Sequence, residues 1–254
     1  MDDPSTQSTP KEVPTQQQGA ELHWQYEPLQ GLPPDALATN SWLMNAMRDQ
    51  AYRWIRRWLE RQFDFRVEGT EVFQRTPQFL LIANHTSHLD AICLLAALPS
   101  GLRNRCYSAA AEDYFYTHVC KEQMARLLAN TFPFRRRSDT HLSLAACARI
   151  LERGDSLLLF PEGTRSTTGE LQLFHSGIGV LAQGRSYPVI PAYLDGTHHA
   201  LAKGQVLCRR TRILLRVGWP EAFQDAPLGK ESAIAIANHL RDRVEALRGD
   251  GGTT

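Results

Sequence analysis

The stretch FLLIANHTSHLD, residues 79–90, joins an apolar run, FLLIA, to a polar turn and then to the start of a second apolar segment. An apolar run of this length with no polar member is the pattern of a strand buried on both faces, and such strands belong to parallel sheets covered by helices. The pattern recurs along the chain. SLLLF at 156–160 is a second strand, stopped by Pro161, which cannot donate to a ladder. Residues 131–134, 188–193 and 212–217 read as further strands. Helical spacing fills 88–98, 109–129, 138–153 with Ser138 as N-cap, 176–183 and 231–247. Strands separated by helices imply an α/β fold with a mixed, mostly parallel sheet flanked by helices. In such sheets ligands collect where the strands end and their connecting loops converge.

Upstream, Ser41 to Phe63 is a basic amphipathic helix. Met47, Ala51, Trp54 and Trp58 recur on one face, Leu43, Ile55 and Leu59 widen it, and Arg48, Arg53, Arg56, Arg57 and Arg61 occupy the remainder. Two roles fit this helix: it packs its stripe on the domain, or it lies in a bilayer interface with its arginines near anionic headgroups. Residues 1–20 lack aromatics and are rich in Pro, Gln, Ser and Thr, so a disordered tail is expected there, and residues 249–254 read the same way. Between them the chain divides into an N-terminal helical region, 21–70, and a main domain, 71–248.

No apolar run reaches the roughly 18 residues of a membrane span, and the N-terminal segment has no apolar signal-peptide region. Lys and Arg number 28 against 27 Asp and Glu, a net charge of +1, which argues against sequence-independent nucleic-acid binding. The five cysteines, Cys93, Cys106, Cys120, Cys147 and Cys208, form no C-x-x-C pair and read as reduced packing thiols of a cytosolic protein.

Three polar segments follow strands. In the first, His85 stands at a strand end and Asp90 falls in the first turns of the next helix. There the carboxylate can accept from one imidazole nitrogen and leave the other to take a proton. No G-x-S-x-G nucleophile is present, so the hydroxyl to be deprotonated belongs to a substrate. The plainer reading makes Asn84 and His85 a helix cap bonded to backbone. His85, His88 and Asp90 also form a candidate metal set. A catalytic zinc site needs three ligands with supporting partners, and the only other histidine pair is His198-His199. No metal is therefore expected, and His88 reads as a helix-start residue.

The second segment runs from Phe160 to Ser166. Gly163 permits close backbone approach, exposed amides can take an anion, and Arg165 offers a planar fork for phosphate. Glu162 either accepts from a hydroxyl or holds Arg165; alternatively the whole segment is an ordinary Pro-Gly loop with a surface salt bridge. The third segment, Phe132 to Arg137, ends in three arginines. Alternation lets only one or two face a shared pocket, and otherwise they form a solvated edge or a membrane-facing patch.

Together these segments resemble the glycerolipid acyltransferases typified by 1-acylglycerol-3-phosphate acyltransferase. Four blocks carry the resemblance in order: Asn84-His85 through Asp90, Asn130 through Arg136, Phe160 through Ser166, and Val189 to Ala192. Phe174 to Gly179 is similar to the family's F-K-x-G segment, with His175 where that family has lysine. The resemblance implies that His85 is the general base and Asp90 its orienting partner. The acceptor hydroxyl would attack a thioester of acyl-CoA or acyl carrier protein, while Arg136, Glu162, Gly163, Thr164 and Arg165 hold the acceptor. It further implies a lysophospholipid or glycerol-phosphate acceptor, first of all 1-acyl-sn-glycerol 3-phosphate, and no cofactor beyond the acyl donor. The amphiphilic reactants favour the membrane reading of the 41–63 helix, hence a cytoplasmic protein peripherally associated with membrane. Two competing classes are a hydrolase, either a thioesterase using the same base on water or a metal-dependent enzyme through His85, His88 and Asp90, and a non-catalytic lipid-binding protein.

Overall fold

The computed structural model describes residues 41–111, 119–134, 140–205 and 207–249. Helix α1 (Trp42–Phe63) opens at Ser41, whose hydroxyl accepts from the amide of Met44 at 3.2 Å. It leads into strand β1 (Arg66–Glu68), the short helix α2 (Val72–Arg75), strand β2 (Leu80–Ala83) and helix α3 (Leu89–Ala97). Helix α4 (Ser100–Arg103) and strand β3 (Cys106–Ala111) follow, then α5 (Val119–Ala129), β4 (Thr131–Phe134), α6 (Thr140–Glu152) and β5 (Ser156–Leu159). The remainder is α7 (Gly177–Ala182), β6 (Val189–Asp195), α8 (Thr197–Ala200), β7 (Leu214–Val217) and α9 (Lys230–Ala246).

The strands form one sheet in the order β1-β7-β6-β2-β5-β3-β4. Every neighbouring pair is parallel except β6 and β7. The expected mixed, mostly parallel α/β sheet is thus what forms, with β2 at its centre. Pleating sends alternate residues of β2 to opposite faces. Leu81 and Ala83 join a core with α1 and α3, while Leu80 and Ile82 join a second core with α6, α7 and α9. The second layer is close: a Cβ on Gly179 of α7 would sit 1.9 Å from the carbonyl oxygen of Ala233 in α9, so only glycine fits there.

Two readings need correction. Residues 109–129 are not one helix. Cys106–Ala111 is a strand, paired with β5 through Cys106↔Ser156 and with β4 through Ser108↔Thr131. Its alanines favour helix intrinsically, but the open ladder between β5 and β4 overrides that preference. The second correction concerns α1. Its face against the domain is Arg48, Tyr52, Leu59 and Phe63, with Ile55 packed beside them. Periodicity groups Ile55 and Leu59 with Met47, Trp54 and Trp58 on one stripe and Arg48 with the remaining surface, but Met47, Trp54 and Trp58 face outward, with Trp54 60% exposed. Arg48 is buried because its guanidinium donates to the carbonyl of Leu127 at 2.6 Å and to Asn45 and Asn104 at 3.0 and 3.3 Å, which fastens α1 to α5 and to the turn after α4.

Cys93, Cys106 and Cys147 are buried free thiols as expected, whereas Cys208 is exposed. The Cys120 side chain, Ser138, the tail at 1–20 and residues 250–254 lie outside the described residues. Among the described residues no helix is long and apolar enough to cross a membrane.

Candidate active site

The site begins where β2 stops. The side chain of Asn84 imitates one more ladder pair with β6: its amide donates to the carbonyl of Leu194 at 2.9 Å, and its oxygen accepts from the Leu194 amide at 2.7 Å. The next residue, His85, therefore leaves the sheet in a fixed direction.

Asp90 lies in the first turn of α3 and is completely buried. Its Oδ2 accepts from the amides of Thr86 at 2.6 Å and Ser87 at 2.8 Å, and faces His85 Nδ1 at 2.9 Å. The carboxylate thus sits at a helix N-terminus with amide donors aimed at it. A carboxylate opposite Nδ1 favours the tautomer that donates from Nδ1 and leaves the Nε2 lone pair available. The imidazole is stacked on Phe160, ring centroids 4.0 Å apart and planes 13° off parallel. Its side chain retains 15% exposure, so the ring can be reached from outside.

The segment after β5 closes around this turn. Glu162 Oε1 accepts from the His85 backbone amide at 2.7 Å, and the Ser166 amide donates to the His85 carbonyl at 2.8 Å. Both polar groups of the His85 peptide are therefore held by one loop. Glu162 Oε2 accepts from Gln172, from the side chain at 3.0 Å and the backbone at 3.3 Å. Burial pushes the Glu162 carboxyl up to about 7 against the opposing pull of these hydrogen bonds. Of the two roles considered for Glu162, holding Arg165 is not the one adopted: among the described residues no ion pair joins them, and the carboxylate braces the His85 turn instead.

Arg165 presents a buried Nη1 with no hydrogen-bond partner among the described residues. It lies near His88, at the N-cap of α3, and burial together with the neighbouring Arg165 guanidinium lowers the His88 pKa to about 4. His88 is accordingly neutral at physiological pH. No three His, Cys, Asp or Glu side chains among the described residues are grouped to hold a metal ion, and the candidate set of His85, His88 and Asp90 is not so grouped. Gly163 adopts a left-handed φ of +71°, and a Cβ there would come within 2.9 Å of the His175 ring. Thr164 is exposed, with Lys203 Nζ 3.4 Å from its hydroxyl.

His85, Asp90, Glu162, Gly163 and Arg165 thus come together at the strand ends, while Arg136 falls outside the described residues. Sequence reasoning missed two participants. Phe160 opens the second segment in the sequence but is given no role there, and Gln172 has no signal beyond lying ten residues after Glu162.

The family described as Acyltransferase matches residues 64–195, just over half of the 254 residues. A 1-acyl-sn-glycerol-3-phosphate acyltransferase of Cocos nucifera is 29% identical over 184 residues, covering 71% of this chain and 55% of that protein. One of Saccharomyces cerevisiae is 29% identical over 187 residues, covering 71% and 58%. The chain therefore spans a little over half the length of these relatives. Among solved structures, the 1-acyl-sn-glycerophosphate acyltransferase PlsC of Thermotoga maritima has the same fold, with a TM-score of 0.62 and 22% identity over 83% of this chain and 80% of that one. The matched span contains the His85 turn, the loop that braces it and the strands between, and by that match the chain belongs to the acyltransferase family.

Proposed function

We propose that this protein transfers a fatty acyl group from a thioester, acyl-CoA or acyl carrier protein, to the free hydroxyl of 1-acyl-sn-glycerol 3-phosphate or a closely related lysophospholipid. The observation that carries this reading is the 2.9 Å pair of His85 Nδ1 and buried Asp90 Oδ2, with the second ring nitrogen unclaimed among the described residues.

The steps follow from that pair. Nε2 of His85 removes the proton of the acceptor hydroxyl as its oxygen attacks the thioester carbonyl, forming the new C–O bond. Asp90, held by two amides, stabilises the imidazolium. Collapse of the tetrahedral intermediate breaks the C–S bond, and the departing thiolate takes the proton from Nε2. A base of this kind contributes about 10²- to 10⁴-fold, and holding both reactants side by side supplies the rest through proximity. The buried, unpartnered Nη1 of Arg165 supports a role in holding the acceptor's phosphate, with Gly163 and Thr164 beside it. Glu162 supports the base by fixing its peptide, and Arg136 is proposed as a further phosphate contact on the resemblance alone.

Because both lipids are amphiphiles, the same reading has the enzyme work at a membrane surface, as a cytoplasmic protein peripherally bound. Support comes from α1, whose Trp42, Leu43, Met47, Trp54 and Trp58 are all exposed beside a row of arginines.

The test is purified protein with labelled acyl-CoA or acyl carrier protein and a panel of lysolipid acceptors, with Asp90→Ala as control. Acceptor-dependent acyl transfer lost in the control is the expected result. Thioester cleavage that proceeds equally well without any acceptor would instead identify a hydrolase.

A further inference from the structure

On the side of α1 that adjoins α3 and α4, a surface cavity of about 280 Å³ is lined by Tyr52, Arg53, Arg56, Arg57, Ala96 and Arg103. Four of the six lining residues are arginines. Two have carboxylate partners: Arg56 with Glu60 at 2.6 Å, and Arg103 with Asp49 at 2.8 Å. Among the described residues Arg53 donates to the neutral Gln50, and Arg57 lies over the Trp54 ring at 5.6 Å. Neither has a carboxylate partner among the described residues, so the cavity holds a net positive charge.

Tyr52 and Arg103 form the buried part of the lining, 2% and 8% exposed, with the Arg103 guanidinium 4.6 Å from the Tyr52 ring centroid. The charge open to a ligand is therefore that of the α1 arginines, and a hollow with unbalanced guanidinium groups is complementary to a tetrahedral oxyanion.

The location selects the source of that anion. Arg53 and Arg57 are one helical turn apart and flank Trp54, which is 60% exposed. Tryptophan at the apolar boundary with arginine at headgroup depth is the arrangement of an interfacial helix. Ala96 lies six residues along α3 from Asp90, roughly 9 Å along the axis, so this hollow is separate from the His85 turn. We propose that the cavity binds the phosphate of an anionic phospholipid headgroup, a second lipid contact that seats α1 on the bilayer. The proposal rests on the membrane-facing reading of α1 and not on the acyl-transfer chemistry.

The test is flotation of the full chain with vesicles of phosphatidylcholine alone or mixed with phosphatidic acid. Three proteins are compared: wild type, Arg53→Gln/Arg57→Gln, and the charge-matched Arg61→Gln/Arg209→Gln. With each membrane-facing arginine worth about fivefold, the cavity variant is expected to lose about 25-fold in affinity for the anionic vesicles at low salt. The charge-matched variant should lose much less, and on neutral vesicles all three should bind alike. Equal losses in both variants would reduce the cavity to part of a diffuse field and overturn the proposal, as would no loss in either. Thermal protection of wild type by inorganic phosphate, without a vesicle difference, would overturn the lipid source. If wild type floats with neither vesicle the membrane reading itself fails, an outcome independent of the acyl-transfer assay.

Discussion

The backbone nitrogen of His85 donates to Glu162 Oε1 at 2.7 Å, so the peptide bearing the base is held by a carboxylate 77 residues further along the chain. Glu162→Gln removes the charge and brings an amide donor against the donors of Gln172. The expected cost is about 1–3 kcal/mol of stability, together with reduced turnover, and urea denaturation checks the first.

The same residue predicts a pH dependence. Its folded pKa, about 7, lies above the ordinary 4.5, so the folded state binds the extra proton more tightly. The stability associated with that proton is complete below pH 4.5 and is lost as pH rises through 7, an effect of roughly 3 kcal/mol. The advantage of wild type over Glu162→Gln in urea should therefore shrink between pH 4.5 and 8. A constant difference would show that the carboxylate does not titrate in this range.

His85→Ala should abolish acyl transfer by about 10²- to 10⁴-fold while leaving the melting transition close to that of wild type. The ring is partly exposed and stacked on Phe160, so its loss opens no deep cavity. Turnover like that of wild type would remove the base from the mechanism.

Asp90→Asn preserves shape but not charge. One amide oxygen can still accept from Thr86, Ser87 and His85, yet the imidazolium loses its counter-charge. Turnover should fall by about 10²-fold or more with the KM for acceptor changed far less, since the lost interaction is strongest in the transition state. Steady-state kinetics at saturating donor would separate the two parameters.

Gly163→Ala should destabilise the protein by about 1–2 kcal/mol through its left-handed backbone, and further through contact with the His175 ring 2.9 Å away. Adding His175→Ala should relieve only the second part. The difference between the single and double variants in thermal or urea unfolding measures how firmly that ring is held.

Much of this was legible because burial leaves a plain trace. Strands β2, β5 and β6 lie in the sheet interior and contain uninterrupted apolar residues, and the two reactive segments follow β2 and β5 directly. The edges were harder. Arg66–Glu68 is a strand with charged ends, exposed on its outer side, and nothing in its composition distinguishes it from a loop. Cys106–Ala111 is alanine-rich, so local preference pointed to helix while the ladder decided otherwise. In α1 the apolar stripe was real but its direction was not readable. A buried arginine satisfied by a distant carbonyl, as Arg48 is by Leu127, leaves no periodic signal. At the site, residues named by their chemistry were found, whereas Gln172 acts only through proximity created by the fold.

The pairing of Asn84 with Leu194 joins positions 110 residues apart. Contacts of such separation form only after the entropy of closing a long loop has been overcome. During synthesis, the Asn84 side chain thus has no partner until the ribosome has delivered β6. A nascent chain that has emerged only through β5 holds both catalytic side chains proposed here, yet it lacks the Asn84–Leu194 pairing and the Glu162 brace that set the direction of their turn.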